Sequence, residues 1–205
     1  MRVMSWNVDG TFPPAGSPKK IEQRVQWLAS LEHLPEILLL QEVNPHRQEL
    51  WYDLLRNNLG YKAMTDTLDQ ALALDNSNGH ITAIAGDWNL SDNKAQLGKA
   101  DAPIALEDRE LAFPEKFLVT DLAHPAGNIE VLNIRAVPGG EHGVEKLKLL
   151  EAAFDWVEAA DERPRILAGD LNTPRQSWPT DRPSPSVTIG SQICAAGAWP
   201  PSRTC

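Results

Sequence analysis

The sequence predicts a domain of the α+β class, and three observations carry that prediction. Two continuous apolar runs, Ile37–Leu40 and Ile166–Ala168, read as short strands buried on both faces. Apolar residues also recur at helical spacing, at Ile21, Val25, Leu28 and Leu31 and again at Leu147, Leu150, Phe154 and Val157. Finally, Phe117–Ala123 and Ile129–Asn133 flank Pro125-Ala126-Gly127-Asn128, which is a hairpin signal. With 205 residues, 42% of them hydrophobic and 23% charged, the chain can build one substantial core and is composed like a globular domain.

Taken in order, Arg2–Asn7 reads as a strand that exits through Asn7-Val8-Asp9-Gly10. Thr11–Ser17 is Pro/Gly-rich loop, and Ser17-Pro18 then supplies an N-cap and an N1 proline for the first helix. The strand Ile37–Leu40 is followed by Gln41 and Glu42. Asn44-Pro45 opens a second helix, with Leu50, Leu54 and Leu55 inward and Gly60 closing it. Tyr61–Met64 and Ile81–Ala85 are short strand candidates, whereas Thr65–Gly79 has no readable period. Gly86-Asp87-Trp88-Asn89 reads as a plain turn and Ser91–Glu115 as a long polar surface excursion. After the hairpin, Val137-Pro138-Gly139-Gly140 breaks the chain, and a helix leads back to a last strand at Arg165. The domain is expected to span residues 1–174. Beyond it, 175–205 is a Pro/Ser-rich tail without periodicity, expected to be disordered or non-native.

A net charge of −9 gives no general attraction to nucleic acid or to anionic membranes, so a phosphate substrate would need a local cation. The two cysteines, Cys194 and Cys205, form no zinc spacing or disulfide framework. No apolar run is long enough to span a bilayer and no signal peptide is evident, so the expectation is a cytoplasmic monomer without membrane contact. Trp6, Trp27, Trp51 and Trp156 are expected in core or helix packing.

Three segments share one grammar, an apolar strand that ends in acid or amide. They are S-W-N-V-D-G with Asn7 and Asp9, L-L-L-Q-E-V with Glu42, and A-G-D-L-N-T-P with Asp170 and Asn172. Each alone is also what a polar turn looks like. If the strands lie side by side, however, three carboxylates converge, and they must raise one another's pKa or hold a cation. Oxygen ligands suit a hard ion such as Mg²⁺.

In motif order from Met1 to Pro174, these segments resemble the endonuclease/exonuclease/phosphatase superfamily, which has the fold of pancreatic deoxyribonuclease. The resemblance extends to E-V-L-N-I-R-A-V-P-G-G and to the helix V-E-K-L-K-L-L-E-A-A-F-D-W. It implies a four-layered α/β/β/α sandwich, here with an incomplete second sheet. It also implies a phosphoesterase that uses Mg²⁺ (or Mn²⁺) on a phosphate-ester substrate, nucleic acid among the candidates. On this reading Glu42 binds the metal with Asp9 beside it, and Asn7 orients the site or the phosphate. Asp170 positions or deprotonates the attacking water, and Asn172 stabilises the transition state.

Two departures stand out. Arg135 occupies the place of a family histidine; it cannot shuttle a proton but can clamp phosphate oxygens. The family's closing Asp-His pair has no counterpart, since all five histidines precede Asp170. Of these only His142 could lie near the strand ends, and it reads as a solvated loop residue. The alternative reading is therefore a truncated, catalytically impaired member that keeps a scaffold or binding role.

Overall fold

The computed structural model describes residues 1–13, 16–86, 88–92, 111–124, 127–158, 164–172 and 194–196. The exit Thr173-Pro174, the hairpin tip at 125–126, the stretch 93–110 and nearly all of the tail lie outside the described residues.

Two sheets stack face to face with helices on both outer sides, which is the expected four-layered α+β sandwich. The first sheet contains β1 (Val3–Asn7), β2 (Ile37–Val43), β3 (Ala63–Asp66) and β4 (Gly79–Ile84), in the order β1-β2-β4-β3. The second contains β5 (Asn89–Asp92), β6 (Phe117–His124), β7 (Gly127–Arg135), β8 (Arg165–Asp170) and β9 (Cys194–Ala196), in sequential order. The short strand β9 pairs with β8 and comes from the segment that carried no periodic signal.

Three apolar clusters correspond to the three interfaces between layers. Ile37, Leu39 and Ile84 meet Leu122, Val131, Ile166 and Ala168 between the sheets. These strands therefore read as continuous apolar runs because both of their faces are covered. On the outer face of the first sheet, Leu38, Leu40 and Ile81 pack beneath α1 (Pro18–Ala29) and α2 (Gln48–Leu59). On the outer face of the second, Leu132, Ile134 and Leu167 pack beneath α4 (Gly143–Glu158).

Helix α1 begins at Pro18 with Ser17 in the cap position and buries Ile21, Val25 and Leu28, as its spacing predicts. Asn44-Pro45 opens a single 3₁₀ turn rather than the helix itself: Asn44 Oδ1 accepts from the His46 N–H, and α2 starts at Gln48. Gly60 ends α2 in the left-handed region, φ 75°, where its N–H reaches the Arg56 carbonyl. Its buried stripe is Trp51, Leu55 and Leu59, with Leu50 and Leu54 only half-buried. The unread stretch 65–79 contains α3 (Leu68–Ala73), too short for a period to show.

Helix α4 exists where expected but is rotated. Leu149, Ala152, Ala153 and Trp156 face the sheet, while Leu147 and Phe154 are 60% and 57% exposed. Both stripes have helical spacing. The one with two alanines lets the helix approach closely and buries an indole, whose area outweighs that of a leucine. Glu115, expected in a surface excursion, lies inside instead. Its side chain is fully buried and neutralised by Lys116, whose Nζ lies 3.1 Å from Oε1.

Trp51 and Trp156 are core residues, and Trp6 and Trp27 pack edge to face at 5.0 Å between ring centroids. No helix among the described residues is long and apolar enough to cross a membrane.

Candidate active site

Parallel pairing brings four strand ends to one rim. In the first sheet β1 and β2 run parallel with Asn7 opposite Gln41, and in the second β7 and β8 run parallel with Arg135 opposite Asp170. Asn7 joins the two sheets, because its Nδ2 donates to Glu42 Oε1 at 2.9 Å and to Asp170 Oδ2 at 2.7 Å. Arg135 Nη2 sits 2.7 Å from the same Glu42 Oε1, and Thr11 Oγ1 donates to Oε2 at 3.2 Å. Asn7, Glu42, Arg135 and Asp170 thus form one bonded group at the rim.

The two remaining candidates flank that group through their backbones. The Asp9 N–H donates to Asn7 Oδ1 at 2.9 Å, and the Asn172 N–H donates to Asp170 Oδ1 at 2.9 Å. Each is an Asx turn, and each puts its last residue in the left-handed region, Asp9 at φ 45° and Asn172 at φ 44°. The side chain's bond to the backbone two residues on is what makes N-x-D and D-x-N natural ends for these strands. The Asn172 amide donates from Nδ2 to the Ala136 carbonyl at 2.6 Å. Asp9 is exposed, and its charge acts on the Arg24 guanidinium.

Glu42 carries the larger local cost. It lies at φ 57°, which is uncommon for a glutamate and costs roughly 1–2 kcal/mol. The β2–β4 register shifts between Leu40 and Val43, and the bulge turns Glu42 toward the rim. Two backbone bonds hold it there, Val8 N–H to the Gln41 carbonyl at 3.0 Å and Gly10 N–H to the Glu42 carbonyl at 2.9 Å. Three of the four non-glycine residues at positive φ among the described residues are site candidates, the clustering expected where strain serves a site.

Sequence reading missed the buried polar groups behind this rim. Asn133 Nδ2 donates to the Leu40 and Ile81 carbonyls at 3.2 and 3.1 Å, and its Oδ1 accepts from Gln41 Nε2 at 2.7 Å. It thereby satisfies, from the opposite sheet, carbonyls at the edge of the bulge. Asn133→Leu is expected to cost about 2–4 kcal/mol, because both buried carbonyls lose their amide donor. Urea unfolding checks this, and a change below about 1 kcal/mol would contradict that accounting.

A second relay runs from Glu42 through Thr11 to Asn78, whose Nδ2 reaches Thr11 Oγ1 at 3.0 Å, and on to Lys116, whose Nζ reaches Asn78 Oδ1 at 2.9 Å. Lys146, on α4, donates from Nζ to the Asn172 carbonyl at 2.6 Å. His142 is half-buried, with its ring edge-on to Phe113 at 5.2 Å. None of these had a sequence signal beyond polar residues lying next to motif residues.

His80, fully buried on β4, has its pKa pushed well below the usual histidine range, chiefly by burial and further by the Lys116 and Arg135 cations. The folded protein therefore keeps His80 neutral while the unfolded chain protonates it below about pH 6.5. Stability from this group is present above that pH and is lost as pH falls through it. Urea midpoints at about pH 7.5 and about pH 5 should converge in a His80→Gln variant relative to the parent. An unchanged gap would show that other groups carry the acid sensitivity.

A family model described as the endonuclease/exonuclease/phosphatase family matches residues 4–204. The chain belongs to the endonuclease/exonuclease/phosphatase family. Among solved structures, a humanized D. rerio TDP2 superposes on this family member with TM-score 0.57 at 16% identity, covering 85% of this chain and 67% of the other. D. rerio TDP2 complexed with a single-strand DNA product gives TM-score 0.56 at 14% identity, covering 85% and 61%. TDP2 from C. elegans gives 0.55 at 13%, covering 84% and 48%. This family member therefore spans between about half and two thirds of the length of those neighbours, and at such identities the likeness establishes the fold. No curated protein sequence matches it.

Proposed function

We propose that this family member hydrolyses a phosphodiester or phosphomonoester by in-line attack of water, with a divalent cation, Mg²⁺ or Mn²⁺, at Glu42 and Asp9. The observation that carries the reading is the junction at Asn7, where carboxylates from both sheets, Glu42 and Asp170, share one amide donor. The donor set suits a hard dication, which takes one or two carboxylates and keeps its waters for substrate to replace. Among the described residues no group of three or more His, Cys, Asp or Glu is placed to hold a metal ion, so the proposed cation would rest on at most two carboxylates and its own waters. When bound, the cation offsets charge on the phosphoryl oxygens.

The protein groups then divide the work by position. Asp170, held by the Asn7 amide and the Asn172 N–H, is the acceptor that orients or deprotonates the water. Asn7 fixes the two carboxylates relative to each other. Arg135 presents a planar cation for phosphate oxygens in a chain whose overall charge is negative. Lys146 keeps the Asn172 loop against the rim. Nucleic acid is the substrate class to test first, since one D. rerio neighbour is complexed with a single-strand DNA product.

One observation favours a second reading, that of an impaired member with a scaffold or binding role. No Asp-His pair follows Asn172 within these 205 residues, and a site working without a general acid/base is slower by ~10²–10⁴-fold. Hydrolysis of abasic DNA, plasmid DNA and a chromogenic phosphodiester separates the two. The enzyme reading expects turnover that disappears with chelator, returns with Mg²⁺ and falls in Glu42→Ala. Absence of turnover on all three substrates selects the impaired reading.

A further inference from the structure

Arg135 does something at this rim that a histidine in its place could not do. Its Nη2 lies 2.7 Å from Glu42 Oε1, with both side chains nearly buried at 13% and 12% exposure. The other contacts of that carboxylate, Asn7 and Thr11, are neutral. The guanidinium therefore supplies the positive charge that the Glu42 carboxylate needs at its buried position.

We infer that Arg135 is a resident cation that exchanges with the divalent ion at Glu42. The inference rests on the metal reading above and adds a regulatory consequence to it. In the metal-free protein the guanidinium neutralises Glu42, which protects the strained bulge from an unpaired buried charge. A dication arriving at Glu42 is repelled by the guanidinium on the same carboxylate, so loading favours the departure of Arg135. Once displaced, Arg135 has lost its carboxylate and is free to take phosphate oxygens in paired geometry. Metal and phosphate then bind with positive coupling, each favouring the arrangement that the other needs. The Nε of Arg135, buried without a hydrogen-bond partner among the described residues, marks the present arrangement as one that leaves part of the guanidinium unsatisfied.

The test is calorimetric titration of Mn²⁺ into the full chain in phosphate-free buffer, comparing the parent, Arg135→Gln and Arg135→Lys. Removing a charge-assisted bond that competes with the ion is expected to tighten Mn²⁺ binding about tenfold or more in Arg135→Gln. Arg135→Lys, which keeps the cation, should stay near the parent. Equal Mn²⁺ affinity in the parent and Arg135→Gln overturns the exchange but leaves the metal reading standing. Absence of Mn²⁺ binding in all three overturns both. If the Gln variant fails to fold, the exchange is read on the unaltered chain by guanidinium ¹⁵N–¹H NMR. Added Mg²⁺ should then release the slowed rotation of the Arg135 guanidinium, and no change in it overturns the inference.

Discussion

Asp170→Asn is expected to lower Mg²⁺-dependent phosphoester hydrolysis by ~10²–10⁴-fold, the usual loss when a positioned acid/base is removed. The substitution is nearly isosteric and its Oδ1 can still accept from the Asn172 N–H, so the Asx turn survives. What changes is the second atom. An amide nitrogen would now face Asn7 Nδ2, donor against donor, where the carboxylate accepts at 2.7 Å. The acceptor for water is lost together with the negative charge. Initial rates on a chromogenic phosphodiester, with thermal melting to show that the variant is folded, check the prediction. A rate within about threefold of the parent would remove Asp170 from the chemistry.

Gly169→Ala should have the largest effect on stability, about 3–5 kcal/mol, from backbone overlap added to conformational strain. Gly169 pairs with Ile134 in the parallel β7–β8 ladder at φ 159°, and a Cβ there would lie 1.8 Å from the Ile134 carbonyl oxygen. No side chain can move aside to relieve that clash, because the obstacle is main chain. The strands would have to separate one residue before Asp170, at the point where Asn7 ties the two sheets. Gly140→Ala is the control, since nothing lies within 4 Å of its added Cβ. Urea unfolding should show the control within about 0.5 kcal/mol of the parent. A similarly small change for Gly169→Ala would mean that the two strands yield there easily.

The strands that carry the site were legible because they are covered on both faces and their ends are marked by Asn and Asp at turn spacing. Ile37, Leu39, Ile166 and Ala168 sit in the inter-sheet cluster, while Leu38, Leu40 and Leu167 lie beneath the helices on the outer faces. Helix faces were less legible. Leu147-Leu150-Phe154-Val157 and Leu149-Ala152-Ala153-Trp156 both satisfy the helical period, and only contact with the sheet separates them. Asn133 and Lys116 were not read at all, since an isolated amide in a strand or a lysine in a polar stretch has no period. Their importance comes from the buried carbonyls and carboxylate that happen to lie opposite them.

By itself, the amino-acid sequence determined the class of fold, the strands that end in carboxylate or amide, and the family to which those ends belong. Each of these depends on short-range order along the chain: apolar runs, helical spacing and turns closed by a side chain two residues away. Tertiary structure alone decided which groups touch. Asn7 and Asp170 are 163 residues apart in sequence, yet they share a hydrogen bond because two sheets pack with their parallel strand ends at one rim. The pairing of Arg135 with Glu42 was decided in the same way, since a buried carboxylate takes whichever cation the fold brings within reach.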